Sequence, residues 1–212
     1  MNRTTYPSWG NLYQYRKRIA FRFGEIWDIP VKKRYHQILS YYMKDGISIL
    51  EIGAGERKLE RRLKNNWDRV NYKSCDIDES GQHDFSGIDQ INGQYDIVCG
   101  FEVIEHLSLE EIKNMLIKCF EGMVNEGVLI ITTPNIYYPP AYLRDVTHKT
   151  PLCYDELGGL VEASGLEVIG IFRLYHDSLI KKILRRYIFY GFFRLMGIDF
   201  ARQIGLVARK ST

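Results

Sequence analysis

A three-layer α/β sandwich on a mostly parallel sheet is predicted by three features of the 212-residue sequence. Short apolar runs alternate with segments of helical period. One run, Ile47 to Ile52, enters a glycine turn, Gly53-Ala54-Gly55, and a helical pattern follows at once. With 45% apolar side chains the chain can fill one sizeable core, so residues 1–212 read as a single domain. Alternation of this kind gives right-handed crossovers and a ligand crevice outside the carboxyl ends of the central strands.

Residues 1–46 are expected to form an N-terminal helical cover. Val31, Tyr35, Ile38, Leu39 and Tyr42 keep helical spacing over residues 31–44, and Asp45-Gly46 break it. Tyr6, Trp9, Tyr13 and Tyr15 read as packing residues, and a cover over an acceptor pocket would suit the fold. Residues 47–175 form the core. Its first strand is Ile47 to Ile52, and the helix after the glycine turn buries Leu59 and Leu63. Val70 to Cys75 is the second strand, ending at Asp76. Tyr95 to Gly100 is a third, apolar enough for the sheet interior. Ile112, Met115, Leu116, Cys119, Phe120 and Met123 mark a helix that Asn125-Glu126-Gly127 stops, and Val128 to Thr132 is the next strand.

Past Pro134 the order changes to a loop up to Pro151, a helix from Tyr154 to Ser164 and a strand from Leu166 to Leu174. A closing strand, Gln203 to Arg209 within residues 201–212, is expected to pair antiparallel with it. Residues 176–200 form an added amphipathic helical segment. Ile180, Ile183, Leu184, Tyr187, Ile188 and Gly191 make one stripe, with Lys181, Lys182, Arg185 and Arg186 mostly off it. Residues 179–196 could close as a lid or make a peripheral contact with anionic lipid.

The balance of 29 basic and 26 acidic residues is too even for nucleic acid to be the expected partner. Cys75, Cys99, Cys119 and Cys153 form no C-x-x-C pair, and they read as reduced thiols of a cytoplasmic protein, with membrane contact only peripheral. The N-terminal residues resemble neither a signal peptide nor an anchor.

The glycines of Glu51-Ile52-Gly53-Ala54-Gly55 let backbone turn sharply and approach a ligand. A dinucleotide fingerprint would place a third glycine where Lys58 stands, which disfavours a nicotinamide oxidoreductase. Asp76, with Ile77 beside it, ends the second strand 21 residues after Gly55, where a carboxylate can accept from both hydroxyls of an adenosine ribose. Asp84 could accept from an adenine amino group while Phe85 packs on the ring; a solvated loop aspartate explains Asp84 equally well.

These segments resemble the class I S-adenosylmethionine-dependent methyltransferases, in particular the small-molecule group with an E/D-x-G-x-G turn, an E-V-x-E-H segment and a T-P-N segment. The resemblance spans roughly residues 47–175. It implies a Rossmann-like fold of seven strands, abbreviated where the chain is short, with an antiparallel last strand. It further implies that S-adenosylmethionine is the cofactor, that Glu51, Gly53 and Gly55 shape its methionine end, that Asp76 holds its ribose, and that Phe101 presents backbone beside the sulfonium. Thr133-Pro134-Asn135 also fits. Arg57 replaces the family's third glycine, where it could pair with the cofactor's carboxylate or sit solvated at a helix start. Asp76 and Asp96 stand only 20 residues apart, which should shorten the adenine wall.

Methyl transfer from a sulfonium needs alignment, exclusion of water and, for a hydroxyl or amine acceptor, a place for the proton. His148 is the first choice of base and His106 the second. Glu102, Glu105 and His106 stand at i, i+3 and i+4, one face of a helix, from which they could share a divalent cation with His148. That set resembles metal-dependent RNA 2′-O-methyltransferases and ubiquinone-pathway O-methyltransferases, while a helix cap or an internal salt bridge explains the same residues. The expected acceptor is a small molecule such as a sugar, glycolipid or isoprenoid-like alcohol. The alternative is a binding module that keeps the cofactor without turnover, which Arg57 and the short adenine region would fit.

Overall fold

The computed structural model describes residues 9–78, 80–175 and 177–211; Tyr6 and the side chain of Trp9 lie outside what it describes. The strands are β1 (Val31–Lys32), β2 (Ile47–Ile52), β3 (Val70–Cys75), β4 (Tyr95–Phe101), β5 (Met123–Pro134), β6 (Glu167–Leu174) and β7 (Gln203–Arg209). They form a seven-stranded sheet in the order β1-β6-β7-β5-β4-β2-β3. β7 runs antiparallel to both β5 and β6, and the remaining pairings are parallel.

Period-two alternation builds the two outer layers. Ile47 and Ile49 of β2, Ile97 and Cys99 of β4, and Val128 and Ile130 of β5 pack with Ile38 and Leu39 of α2 (Tyr35–Tyr42) and Leu59 and Leu63 of α3 (Lys58–Asn66). On the other face, Leu50, Ile52, Val98, Leu129 and Ile131 meet α1 (Trp9–Phe23), α4 (Leu109–Gly122) and α6 (Tyr154–Ala163) through Ile19, Ile112, Leu116 and Leu157. α4 starts on a capping box in which Ser108 and Glu111 each satisfy the other's backbone N–H.

Several expectations are corrected. The pattern over residues 31–44 is not one helix: Val31 and Lys32 pair with Arg173 and Leu174 as an edge strand, and Arg34, extended, caps α2. A two-residue strand is too short to show a period of its own. β5 begins at Met123 instead of Val128, because Glu126 takes a positive φ of 61° and the chain passes Asn125-Glu126-Gly127 with a register irregularity, not a stop. The loop to Pro151 contains α5 (Pro139–Leu143). Residues 176–200 hold not one helix but α7 (Leu179–Ile183), a π turn (Leu184–Ile188) and α8 (Tyr190–Leu195). α1 lies on α6, where a Cβ on Gly158 would stand 2.9 Å from Ile19 Cγ2, and Arg16 pairs with Asp155 at 2.6 Å. The short side of α6 thus seats α1 against the domain wall.

A buried polar network joins β5, the start of β7 and the chain before β1. Asn135 Nδ2 donates to Asp199 Oδ2 and to Ala201 O, both at 2.9 Å. Arg173 pairs with Asp199 at 2.8 Å and donates to the carbonyls of Ile29 and Trp27. Asp199 is fully buried, and burial pushes its carboxyl up while Arg173 holds it down. No helix among the described residues is long and apolar enough to cross a membrane. Asp199→Ala leaves the Arg173 guanidinium unpaired in the interior and should cost about 3–5 kcal/mol, read from chemical denaturation; a loss under about 1 kcal/mol would mean that water replaces the carboxylate.

Candidate active site

The carboxyl ends of β2 and β4 open on a cleft of about 520 Å³. Its floor is Ile52 and Gly53; its rim includes Asp76 and Ile77 on one side and Glu102, Val103 and His106 on the other. Gly53 and Ala54 donate to Cys75 O, so the turn stays stitched to the end of β3. Gly55 N–H then donates to Asp76 Oδ2 at 2.7 Å, and Asp78 N–H to Oδ1 at 3.0 Å. Each carboxylate oxygen keeps a lone pair for a further donor. Ile77 is 85% exposed at the cleft.

Gly53 adopts φ +70°, and a Cβ there would stand 2.1 Å from Val103 Cγ2. Val103 therefore closes on bare backbone, which explains the first glycine of the turn in packing terms as well as in dihedral ones.

Other sequence candidates are placed elsewhere. Glu51 lies beneath the turn, where the Tyr72 hydroxyl donates to its carboxyl; burial pushes that carboxyl up to about 7. Asp84 does not face the cleft: Lys73 Nζ at 2.8 Å and the backbone and hydroxyl of Ser74 take its oxygens. Phe85 bridges to Cys75 through its backbone and sends its ring into the core. Ile88 and Asp89 line the cleft in their stead, and Asn114 fixes the Asp89 carboxylate at 3.1 Å. Arg57, in the left-handed region at φ 54°, pairs with Glu60 at 2.7 Å and donates to Gln82 O, away from the cleft. The Phe101 ring stacks on Tyr35 with centroids 4.0 Å apart.

Glu102, Glu105 and His106 do not share a helical face. Glu102 takes φ +58°, its N–H donating to Thr132 O and Oγ1, and only Ile104–His106 form a 3-10 turn. The reversal sends the Glu102 carboxyl towards Gln203 and Thr132, with burial raising its pKa. Glu105, His106 and His148 do converge, each offering a ligand atom within 4.8 Å of the others. The loop is held there by Lys149 and Thr150, whose N–H groups donate to Glu105 O. Glu105 is 1% exposed; burial, and then the nearby Glu102 charge, push its carboxyl up to about 8. Thr133 donates to Glu105 Oε2 at 3.2 Å, while Oε1 has no hydrogen-bond partner.

The tautomers follow from the partners. His148 Nδ1 lies 2.7 Å from Tyr142 O, which only accepts, so Nδ1 carries the proton. Thr147 Oγ1 donates to Asp145 at 2.7 Å and must accept from His106 Nδ1 at 2.9 Å. Both Nε2 lone pairs remain for the shared space. Such a donor set, with an orphaned buried carboxyl oxygen, fits a divalent cation.

A second cavity of about 470 Å³ shares Glu102 with the cleft and is otherwise lined by Tyr138, Pro140, Ala141, Arg144, Arg202 and Gln203. No local motif marks it, since its residues come from three separate segments. Only proximity to Pro134 and to the closing strand could have hinted at them.

Residues 27–171 match the family described as "Methyltransferase domain". No curated sequence matches the chain. Among solved structures, an S-adenosylmethionine-dependent methyltransferase from Archaeoglobus fulgidus aligns with TM-score 0.69 at 18% identity, over 96% of this chain and 100% of that one. The N-methyltransferase NodS from Bradyrhizobium japonicum, in complex with S-adenosyl-L-homocysteine, aligns with TM-score 0.57 at 14% identity over 95% and 100%. The [4+2]-cyclase SpnF aligns with TM-score 0.58 at 14% identity over 83% and 79%. At these identities the likeness is one of fold.

The tight approach of Val103 to Gly53 yields a double-mutant test. Gly53→Ala should destabilise the chain by about 2–5 kcal/mol, the sum of overpacking and a left-handed alanine. In a Val103→Ala background the same change should cost only about 1–2 kcal/mol, the dihedral part. Equal costs in both backgrounds, by denaturant titration, would remove the steric role of Val103.

Proposed function

The chain belongs to the class I S-adenosylmethionine-dependent methyltransferases, and from that premise we propose that it methylates a hydroxyl of a small, negatively charged acceptor seated beside Glu102. The observation that carries this reading is the shared wall: Glu102 borders both the cleft that suits the cofactor and the cavity that holds Arg144 and Arg202. Among the described residues, Arg144 makes no ion pair and Arg202 has only Asp177 at 3.7 Å. Two guanidinium groups in one cavity favour a carboxylate or phosphate on the acceptor. A sugar, glycolipid or isoprenoid-like alcohol bearing such a group fits.

In this reading Asp76 accepts from the ribose hydroxyls, Ile77 packs on the adenine, and the Gly53 to Gly55 backbone borders the methionine end. The cofactor supplies an electrophilic methyl group and leaves as a neutral thioether. The acceptor oxygen forms the new carbon–oxygen bond as the carbon–sulfur bond breaks, with its electron pair staying on sulfur. The acceptor proton passes to His148 Nε2, whose ring the Tyr142 carbonyl orients, and His106 stands second. If Glu105, His106 and His148 instead hold a divalent cation, its charge would favour the ionised hydroxyl.

Asp76→Ala should weaken S-adenosylmethionine binding by about 1.5–3 kcal/mol in calorimetry with the fold retained, the range for hydrogen bonds to charged groups. An unchanged affinity would give the ribose to another residue, and tight nicotinamide-nucleotide binding in place of S-adenosylmethionine would overturn the cofactor assignment.

Turnover with labelled cofactor, on a panel of phosphorylated or carboxylated alcohols and their neutral counterparts, tests the acceptor reading. Charged members should be methylated and neutral ones left; cofactor binding with no turnover on any member would support a binding module. With an accepted substrate, the rate should survive a chelator and fall about 10²–10⁴-fold in His148→Ala. Loss to the chelator with recovery by magnesium or manganese would make the three residues a ligand set, and a full rate in His148→Ala would end both roles.

A further inference from the structure

The segment from α7 to α8 has no buried residue. A lid in its closed place would bury its apolar stripe on the domain, yet Leu179, Ile180, Tyr187 and Leu195 are 72%, 73%, 71% and 83% exposed. Exposed apolar side chains this dense in a folded chain mark a surface that meets something apolar.

The segment is nevertheless fixed. Phe193 packs on the cluster of Tyr175, Phe200 and Ala201. Arg194 pairs with Glu25 at 2.9 Å and lies over the Trp27 ring, and Arg185 pairs with Asp177. These contacts hold α8 and the π turn to the domain and leave the apolar side chains outward.

Charge then identifies the partner. From Ser178 to Ile198 the sequence contains five basic side chains and no acidic one. Arg185 and Arg194 are spent on the anchoring pairs; Lys181, Lys182 and Arg186 make no ion pair among the described residues. Exposed aliphatic and aromatic side chains interleaved with unpaired cations suit an interface that is apolar inside and anionic at its surface. We propose that residues 179–196 seat this protein on an anionic phospholipid bilayer, the apolar side chains entering the acyl boundary and Lys181, Lys182 and Arg186 meeting lipid phosphates.

The placement does not depend on the acceptor assignment, and its test needs no turnover. The full chain is sedimented with vesicles of phosphatidylcholine alone and of phosphatidylcholine mixed with phosphatidylglycerol. Binding should be at least about tenfold stronger to the mixed vesicles and should weaken with added salt. Lys181→Gln with Lys182→Gln and Arg186→Gln should lower it about tenfold or more, and Ile180→Ser with Tyr187→Ser and Leu195→Ser should do likewise, with S-adenosylmethionine affinity and circular dichroism unchanged. The anchoring arginines are left intact so that neither variant loosens the segment from the domain. Absence of binding to both vesicles, equal binding to both, or binding that survives either variant would overturn the proposal. A dimer in sedimentation equilibrium that the serine variant dissociates would overturn it too, by making a second copy the partner.

Discussion

The way the chain leaves β5 and enters β7 depends on the buried contact of Asn135, Asp199 and Arg173. Asn135 ends the run that follows β5, and its amide reaches Asp199 and Ala201, 64 and 66 residues later. Arg173 carries the same carboxylate across to the carbonyls of Ile29 and Trp27. A buried ion pair is weak evidence for net stability, because desolvation offsets much of the attraction. Its effect here is on placement: it fixes where the chain leaves β5 and where it enters β7, beside Arg202, whose carbonyl accepts from Asn135 N–H.

The cofactor side is organised by one carboxylate in a comparable way. Asp76 joins the end of β3 to the glycine turn through Gly55 and to its own loop through Asp78. The group proposed to bind the ribose therefore also shapes the turn that the ligand lies against. A ligand arriving there meets a preformed edge, and little ordering remains to be done on binding.

The strands were the most legible part of the chain. β2, β3 and β7 were bounded correctly from sequence because each is an apolar or alternating run closed by a glycine, an aspartate or a change of period. β1 was missed since two residues carry no period, and β5 was shortened because Glu126 enters the left-handed region where sequence favours a stop. In the site, the glycine turn and Asp76 could be found from spacing, which is local. Asp84 was misplaced because the competing partner, Lys73, sits on the adjoining strand, and its claim on the carboxylate follows from a register that spacing does not encode. The second cavity is invisible for the same reason on a larger scale, its lining coming from segments far apart in sequence.

The backbone at Glu102 explains why two cavities exist at all. A glutamate at φ +58° costs about 1–2 kcal/mol relative to ordinary helical or extended backbone, and sequence spacing had placed it on a helix with Glu105 and His106. Two hydrogen bonds from its N–H to Thr132 hold it in the strained conformation. On a helix, its carboxyl would have joined Glu105, and two buried carboxyls with His106 and His148 would have made one crowded acidic pocket. The reversal gives the two carboxyls different hydrogen-bond partners, while the Glu102 charge still stands near enough to raise the Glu105 pKa. Glu105 stays with the histidines under the loop, and Glu102 turns to Gln203, between the cleft of Asp76 and the cavity of the arginines. One strained residue thus stands as a wall between two cavities, and Glu105, His106 and His148 converge beside it.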